Sequence, residues 1–368
     1  MKLSGIRVLD FSRFMAGPLV SAIMADHGAD VVKIEPPEGD PTRGGRRTRP
    51  HQHAGDSFSV LNRGKRSVVL DLKQPVDRAY ALQLIRDADV LIESFSPGVT
   101  ARLGIDPATA LELNPRVVYC SISAFGQSGP LRDAAGHDPA VQALAGILSR
   151  GRDDAPAIAS VSTASWGSAL SALAGVMMAL VAARATGRGD HLDLSMHDVA
   201  LSARPGAIFD ALDNDVASPE SPHGHAILEP YRTADGQWLC VGAGEPRFAR
   251  ALLDALGGPH LVDVALGKPG AAQDPLRRFL SDAFSRRPLA AWLEWMAAHS
   301  ISCAPVLDYA QALKHPHVSA RGMVMIDAAG LRHLNTPIRF AREPGEPDLH
   351  VPRLGEHTQA VLAGLDNT

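Results

Sequence analysis

The sequence predicts an α/β protein whose larger domain is a doubly wound parallel sheet, followed by a smaller α+β domain. Three observations predict this fold class. The 368 residues are too many for one ordinary hydrophobic core. Short apolar segments alternate with helical stretches through the first half, which is typical of strand–helix–strand units. Near residue 214 the composition changes to Pro, Ser, Gly and His, which indicates a linker between domains.

The first half supplies the strands of the predicted sheet. A helical stretch after Pro18 separates the first strand from the second. Two mostly apolar helices, at 139–148 and 166–184, precede a further strand after Asp190. The earlier strands are predicted at residues 6–10, 31–35, 68–72, 90–93 and 117–122.

The second half begins with a hairpin turn at Asp235 and Gly236, ahead of a strand at 238–242. Helical patterns then dominate, so this part is predicted to be α+β. After Gly322 the chain is Pro-rich and is predicted to wrap back onto the first domain. The predicted boundaries are residues 1–190 with 331–368 for the large domain, 191–228 for a linker region, and 229–330 for the small domain.

Composition argues against several classes of partner. A formal net charge of −4 gives no electrostatic case for nucleic acid or an anionic membrane. The three cysteines, Cys120, Cys240 and Cys303, lack disulfide or metal-ligand spacing, so we expect buried thiols and no metal site. The longest apolar run, Ala169–Ala183, is rich in small residues and predicts a buried helix rather than a membrane span. With no signal-like segment at the start, the predicted location is cytoplasmic.

One segment is more informative than any other. A Gly-rich loop at 126–130 is followed closely by Gly136, His137 and Asp138. Asp138 is a natural N-cap and Pro139 a natural first helical residue, so a helix is predicted to begin there. His137 would then lie beside a helix N-terminus, where free N–H groups favour developing negative charge. A base in that position suits abstraction of a proton next to a carbonyl.

Different short motifs are spread along nearly the whole chain. They are Leu9-Asp10-Phe11, Ala16-Gly17-Pro18, residues 28–36, residues 62–67, Asp71-Leu72-Lys73, Pro97-Gly98-Val99, residues 126–130, residues 186–189 and Ala304-Pro305-Val306. In this order they resemble the family III CoA-transferase superfamily of the CaiB/BaiF type, which includes formyl-CoA and carnitine CoA-transferases and the 2-methylacyl-CoA racemases. The resemblance implies a large α/β CoA-binding domain, a small domain, and two chains interlocked like rings in a homodimer. It also implies a CoA thioester as substrate, with no permanently bound cofactor.

Two patterns look like the racemase branch. One is Gly136-His137-Asp138, and the other is Glu245 followed by Pro246 and Phe248. The resemblance implies that His137 and Glu245 form a pair acting on the α-carbon of an acyl-CoA, with the Asp138 amide as part of the oxyanion site. A carboxylate bonded to one imidazole nitrogen raises the basicity of the other. Without the family pattern, this histidine reads more simply as a cap or surface residue.

The sequence departs from the family at one expected carboxylate. The family's transferases use an aspartate nucleophile, and its racemases keep an aspartate there as a second acid/base. That position falls near Ala164, and the window 161–166 contains no carboxylate. Asp153 and Asp154 lie about ten residues upstream and are poor substitutes. Both orthodox transfer and orthodox two-base racemisation are therefore disfavoured, while His137 could still exchange an α-proton from one face.

The resemblance also implies a CoA site in the large domain. CoA carries a 3′-phosphate, a pyrophosphate and an adenine, so its site needs basic side chains and an apolar slot. Two family arginines are replaced here by Pro36 and Ser96. Basic runs such as Lys65-Arg66 are equally typical of a solvated face. The residues predicted to bind CoA are Arg43, Lys65, Leu70, Lys73, Phe95, Ser96, Arg102 and Gly136.

Three functions remain open at this point. The first is proton abstraction and return at the α-carbon of a 2-substituted, for example 2-methyl, acyl-CoA. The second is transfer of CoA between carboxylic acids through an unanticipated nucleophile. The third is binding of acyl-CoA without catalysis, which the missing carboxylate at Ala164 motivates.

Overall fold

In the computed structural model the chain folds as two units, residues 1–204 with 322–368 and residues 205–321. The structure describes residues 1–47, 49, 52–150, 155–204, 208, 211–212 and 224–365. Asp153 and Asp154 lie outside the described residues, as does most of the linker predicted near 214–225.

A six-stranded, wholly parallel sheet forms the centre of the first unit, in the order β3-β2-β1-β4-β5-β8. This confirms the predicted α/β class. Its inner strands are apolar and buried on both faces, as parallel sheets require. The strands are β1 Arg7–Asp10, β2 Asp30–Glu35, β3 Arg66–Val69, β4 Val90–Glu93, β5 Val118–Ser123 and β8 Asp190–Ser195; a small hairpin of β6 Ser149–Arg150 and β7 Pro156–Ala157 precedes β8.

Helices cover both faces of the sheet, which makes the unit doubly wound. One face packs under α1 and α7, and the other under α3, α5 and a late helix, α15. The helices of this unit are α1 Ala16–Asp26, α2 Asp56–Asn62, α3 Pro75–Arg86, α4 Val99–Leu103, α5 Pro107–Leu113, α6 Asp138–Leu144, α7 Thr163–Thr186, α8 Met196–Leu201 and α15 Thr358–Leu365.

Helix α7 is longer than the sequence predicts. It has 24 residues and, by length and composition, is long and apolar enough to cross a membrane. The predicted bounds of 166–184 are therefore short by three residues at the N-terminal end and by two at the C-terminal end. The helix also places Ala169, Ala172 and Val176 in the core against the sheet, and the buried helix of a soluble protein passes the same test.

The first unit extends further than predicted at both boundaries. Strand β8 and helix α8 carry it to Arg204, whereas the predicted linker region begins at residue 191. The hairpin of β12 Val324–Ile326 and β13 Arg332–Leu334 also belongs to this unit rather than to the small domain. These two strands fall outside the small unit because they pair with each other and not with its sheet.

The second unit has its own antiparallel sheet, in the order β11-β10-β9, and its own core. Leu252, Leu253, Leu276, Leu280 and Phe284 are fully buried there, at the helical spacing visible in the sequence. Its elements are β9 Pro230–Arg232, β10 Trp238–Val241, α9 Pro246–Leu256, α10 Val262–Ala265, α11 Asp274–Phe284, α12 Leu289–Ala298, β11 Cys303–Pro305, α13 Tyr309–Ala312 and α14 Pro316–Ala320.

Residues 355–358 lie along the edge strand β3. The amide of His357 donates to the Ser67 carbonyl at 2.9 Å, and the Val69 amide donates to Thr358 Oγ1 at 3.0 Å. Gly355 donates its amide to Ser67 Oγ at 2.9 Å. The edge of the sheet is thus covered by a segment nearly 290 residues later in the chain.

A buried pair of charges lies at the carboxyl end of β1. Asp10 and Lys65 are 2.9 Å apart with both side chains inaccessible to solvent. Lys65 Nζ also donates to the Pro18 carbonyl at 3.0 Å and to Asn62 Oδ1 at 2.9 Å, so its three donors are used. Burial alone would raise the pKa of Asp10, but the Lys65 charge, Lys33 and two serine hydroxyls hold it below its ordinary value.

We expect Lys65→Met to destabilise the protein by about 3–5 kcal/mol, because it leaves the Asp10 carboxylate buried without its partner. Urea unfolding at neutral pH measures the change. Arg66→Met is the matched control. Its partner Asp30 is about half exposed, so the loss there should be at most about 1 kcal/mol. Equal decreases in the free energy of unfolding of the two variants would contradict the importance of the buried pair.

Candidate functional site

Two loops meet where the strand order reverses. Strand β1 is bonded to β2 on one side and to β4 on the other, so the loops at 11–15 and 94–98 lie together at the carboxyl edge. The Arg13 amide joins them by donating to Ser94 Oγ at 2.9 Å. Ligands of open α/β sheets bind at such a switch point. This edge is the candidate site.

Phe14 is unusual in both backbone and exposure. Its φ is 67°, in the left-handed region that aromatic residues rarely adopt, and the residue is 52% exposed. Its ring stands edge-on to the His137 ring, with centroids 6.1 Å apart. Strained residues of this kind concentrate at functional sites. Sequence reasoning missed Phe14, because nothing in the sequence signals a positive φ at a phenylalanine.

His137 is held close to the body of the unit by its neighbour Gly136. A methyl group on Gly136 would lie 2.6 Å from Ala124 Cβ and 2.8 Å from the Phe125 ring, so only glycine fits there. Helix α6 begins at Asp138 with His137 as its N-cap residue. The predicted N-cap at Asp138 is therefore wrong by one residue. The His137 side chain makes no capping bond, which leaves the imidazole for other contacts.

Ala164 lies at the start of α7 and is 1% exposed. It packs in an apolar cluster with Val141, Ala145 and Ala200. The position where the family pattern implies a carboxylate is thus occupied by a methyl group in an apolar setting.

Arginine side chains converge on the loop after β4. A methyl group on Gly98, whose φ is +80°, would lie 3.5 Å from Arg102 Nη1 and 3.6 Å from Arg132 Nη2. The guanidinium of Arg13 lies 5.6 Å from the centre of the Phe95 ring on the same loop. Such a group of positive charges beside a ring suits a ligand with phosphates and an aromatic base. Arg13 and Arg132 were not predicted, since each is an isolated arginine in the sequence.

Glu93 ends β4 directly below this loop and is 2% exposed. It accepts a hydrogen bond from the Phe95 amide at 2.8 Å. Burial raises the pKa of Glu93 to about 7, although bonds from Ser121 and Phe95 favour its charged form and Asp193 adds a small rise. The carboxyl group is therefore poised to change charge near neutrality while it supports the 94–98 loop.

Residues 3–358 match the model of CoA-transferase family III. The chain belongs to CoA-transferase family III. Among family III relatives, the acetyl-CoA:oxalate CoA-transferase of Acetobacter aceti is 34% identical over 94% of this chain and 92% of its own. The alpha-methylacyl-CoA racemase of Homo sapiens is 32% identical over 98% of this chain and 93% of its own. A CaiB/BaiF family protein from Brucella suis has a matching solved structure, with a TM-score of 0.85, 28% identity and 99% coverage of both chains.

The family III resemblance inferred from the short motifs is thereby confirmed, and the chain is an enzyme of this family. Its relatives include both racemases and transferases that act on CoA thioesters. Membership alone therefore does not choose between the two reactions.

Among the residues predicted to bind CoA, the structure brings Phe95, Ser96 and Arg102 together on the loop and helix after β4. Arg43 and Lys65 lie elsewhere, in structural contacts. Arg43 binds the Glu35 carboxylate at 2.7 Å and stacks on Phe58, while Lys65 is enclosed with Asp10. These contacts explain both residues without any ligand.

Two further predicted CoA contacts differ in exposure. Leu70, placed near the adenine by the resemblance, is 2% exposed and belongs to the core. Lys73 is exposed, and its backbone amide bonds the Asp71 carboxylate at 3.1 Å. A surface lysine can reach a phosphate, whereas a core leucine cannot contact adenine without a rearrangement. The exposure of Lys73 is compatible with its predicted contact to CoA.

Glu245 lies in the second unit, as the N-cap residue of α9. Its carboxylate makes no capping bond and pairs with Arg247 at 2.9 Å, with both side chains more than half exposed. Its pairing with His137 stays a prediction. In the part of the chain that the structure describes, no group of three or more His, Cys, Asp or Glu residues could hold a metal ion.

Glu93→Gln tests the elevated pKa of this carboxyl group. A buried carboxyl with a raised folded pKa stabilises the protein fully below pH 4.5 and loses that contribution as the pH rises through 7. The difference between the free energies of unfolding, wild type minus Glu93→Gln, should therefore fall by about 3 kcal/mol between pH 4.5 and 8. This follows from about 1.4 kcal/mol per pKa unit. Urea titrations across that range measure it. A difference independent of pH would rule out the raised pKa.

Proposed function

We propose that this family III enzyme removes and returns a proton at the α-carbon of a 2-substituted acyl-CoA. One observation carries the proposal: His137, with its ring free of capping bonds, lies beside Phe14 at the switch point of the sheet. The group of arginines at the loop after β4 supports a site for the phosphates of CoA. The racemase relative, 32% identical over nearly the whole chain, supports this chemistry.

In the proposed mechanism the His137 imidazole accepts the α-proton of the thioester, and the carbonyl becomes an enolate. The backbone amide of Asp138, in the first helical turn, has no acceptor within the helix and would donate to the enolate oxygen. Glu245 would orient the imidazole by accepting a hydrogen bond from its other nitrogen. Return of the proton to the same carbon restores the thioester, so no group is transferred.

Ala164 makes the second half of the site differ from a two-base racemase. A methyl group can neither give a proton nor attack a thioester, so return to the opposite face needs water or a hydroxyl. We therefore expect exchange of the α-proton to be faster than inversion of the α-carbon. A transferase remains the second candidate, because several relatives of similar identity are CoA-transferases.

The decisive experiment incubates 2-methylacyl-CoA with the enzyme in heavy water. We expect wild type to incorporate deuterium at the α-carbon and His137→Ala to lose at least about a hundredfold of that rate, since general base catalysis contributes about 10²–10⁴-fold. Mass spectrometry of the recovered thioester measures it. Exchange that continues undiminished in His137→Ala would exclude His137 as the base.

The rival functions give different results in parallel assays. A transferase would pass CoA to an added carboxylate and leave an acyl-enzyme that hydroxylamine traps. A binding protein would bind CoA in a calorimeter with neither exchange nor transfer. Arg66→Met serves as a control with an intact site, because Arg66 pairs with Asp30 at the amino ends of the strands.

We also propose that two chains form the interlocked homodimer that the family resemblance implies. An exposed apolar face on α7 supports it, since Trp166, Leu170, Met178 and Val181 recur at helical spacing and are 42–71% exposed. A patch of this kind on a protein surface is typical of a contact with another chain.

Light scattering after size exclusion should give twice the chain mass of 38.9 kDa for wild type. Met178→Asp with Val181→Asp should shift the protein towards the monomer, because the contact would have to bury two carboxylates. Val76→Asp is the matched control, as Val76 is 65% exposed but stands apart on α3. A monomeric wild type would refute the dimer, and an unaffected double variant would place its interface elsewhere.

A further inference from the structure

Helix α7 begins without a side-chain cap of its own. Its N-cap residue, Ser162, makes no side-chain capping bond. The amide of Ser165, three residues on, is the donor that an N-cap side chain usually satisfies. Here that amide donates instead to Asp138 Oδ2, at 2.6 Å. The cap of a 24-residue helix therefore comes from another helix, 27 residues earlier in the chain.

The other oxygen of Asp138 is also occupied. Oδ1 accepts a hydrogen bond from the Gln142 side-chain amide, one turn along α6. Asp138 and Ser165 are each 9% exposed, and Gln142 is 2% exposed. Both bonds are made to a carboxylate that is largely withdrawn from water, where such contacts are strongest.

This carboxylate joins the two segments on which the proposed reaction depends. The residue before it is His137, the proposed base. The residue before its partner Ser165 is Ala164, at the position of the absent carboxylate. One side chain thus holds the start of α6 to the start of α7 and sets the spacing between the two halves of the site.

We propose that Asp138 is a positioning residue, whose carboxylate holds His137 and its own backbone amide in place by capping α7. This inference rests on the proposed function. Its contacts also argue against a role for the Asp138 carboxylate as the replacement acid. Both oxygens accept from N–H donors, and protonation of the carboxyl would cost one of those bonds. Asp138 therefore acts through the placement of His137 rather than by moving a proton.

The test compares Asp138→Asn with Asp138→Ala. Asparagine keeps an oxygen for the Ser165 amide, and its amino group can bond the Gln142 oxygen after that side chain rotates. We expect Asp138→Asn to retain α-proton exchange within about fivefold of wild type, whereas Asp138→Ala falls at least about tenfold in kcat, with KM for acyl-CoA changed less than about twofold. A change confined to kcat indicates misplacement of the base rather than loss of binding.

Amide hydrogen exchange gives a readout that does not depend on catalysis. Protection of the Ser165 amide should fall about fivefold or more in Asp138→Ala and stay near wild type in Asp138→Asn, as expected from a cap worth about 1 kcal/mol. Ser162→Ala is the matched control. It should change neither the protection of the Ser165 amide nor the rate of α-proton exchange, because Ser162 makes no side-chain capping bond.

Each contrary result has a distinct meaning. If Asp138→Asn loses exchange as completely as His137→Ala while Ser165 stays protected, Asp138 moves a proton and the proposal is wrong. If Asp138→Ala keeps the full rate of α-proton exchange while its Ser165 amide is no longer protected from hydrogen exchange, the cap does not position the base, and the proposal is again wrong. If wild type shows no exchange at all, the proposed function fails, while protection of Ser165 still tests the cap.

Discussion

The site depends on one buried ion pair, between Asp10 and Lys65, at the carboxyl end of the central strand β1. The carboxylate of Asp10 also accepts from the amide of Ser12 at 2.9 Å, and Lys33 Nζ donates to the Ser12 carbonyl at 2.9 Å. Both backbone polar groups of Ser12, its N–H and its C=O, are therefore held by buried charged side chains as the chain leaves the sheet. With that start fixed, the next two residues, Arg13 and Phe14, have little freedom in direction. A buried charge held by several partners is costly to form and costly to disturb.

The strained backbone at Phe14 follows from this constraint. A left-handed phenylalanine costs of order 1–2 kcal/mol, and it persists only where neighbouring contacts leave no cheaper path. The amides of Ser12 and Arg13, the two residues before Phe14, are both fixed by hydrogen bonds, to Asp10 and to Ser94. The buried contacts around Asp10 thus restrict the backbone as far as Phe14, whose ring contacts the His137 ring. The residues that stabilise this part of the fold therefore also fix the geometry of the candidate site.

Much of the fold could be predicted from the sequence, because alternating apolar strands and helices have few arrangements. The third strand shows the limit of that reasoning: it was predicted at residues 68–72, yet β3 runs from Arg66 to Val69. Of the candidate site, His137 is predicted by the motif Gly136-His137-Asp138. Phe14 and Arg132 are not predicted, because a backbone angle and a contact between distant parts of the chain leave no local signal in the sequence. Lys65, predicted to bind CoA, is buried beside Asp10 in the structure, and the sequence could not show this because burial is a property of the folded chain.

The segment that covers β3 has a consequence for how the chain is made. Strand β3 is an edge of the sheet, and its bonding groups are met by residues 355–358. During synthesis on the ribosome, the sheet can form through β8 before the segment that covers β3 exists. More than 150 further residues must be added before that segment is made. An open edge attracts other strands. Synthesis of this protein therefore passes through a long interval in which a nearly complete sheet is exposed to mispairing. Chaperone demand should be highest in that interval, rather than before the sheet forms.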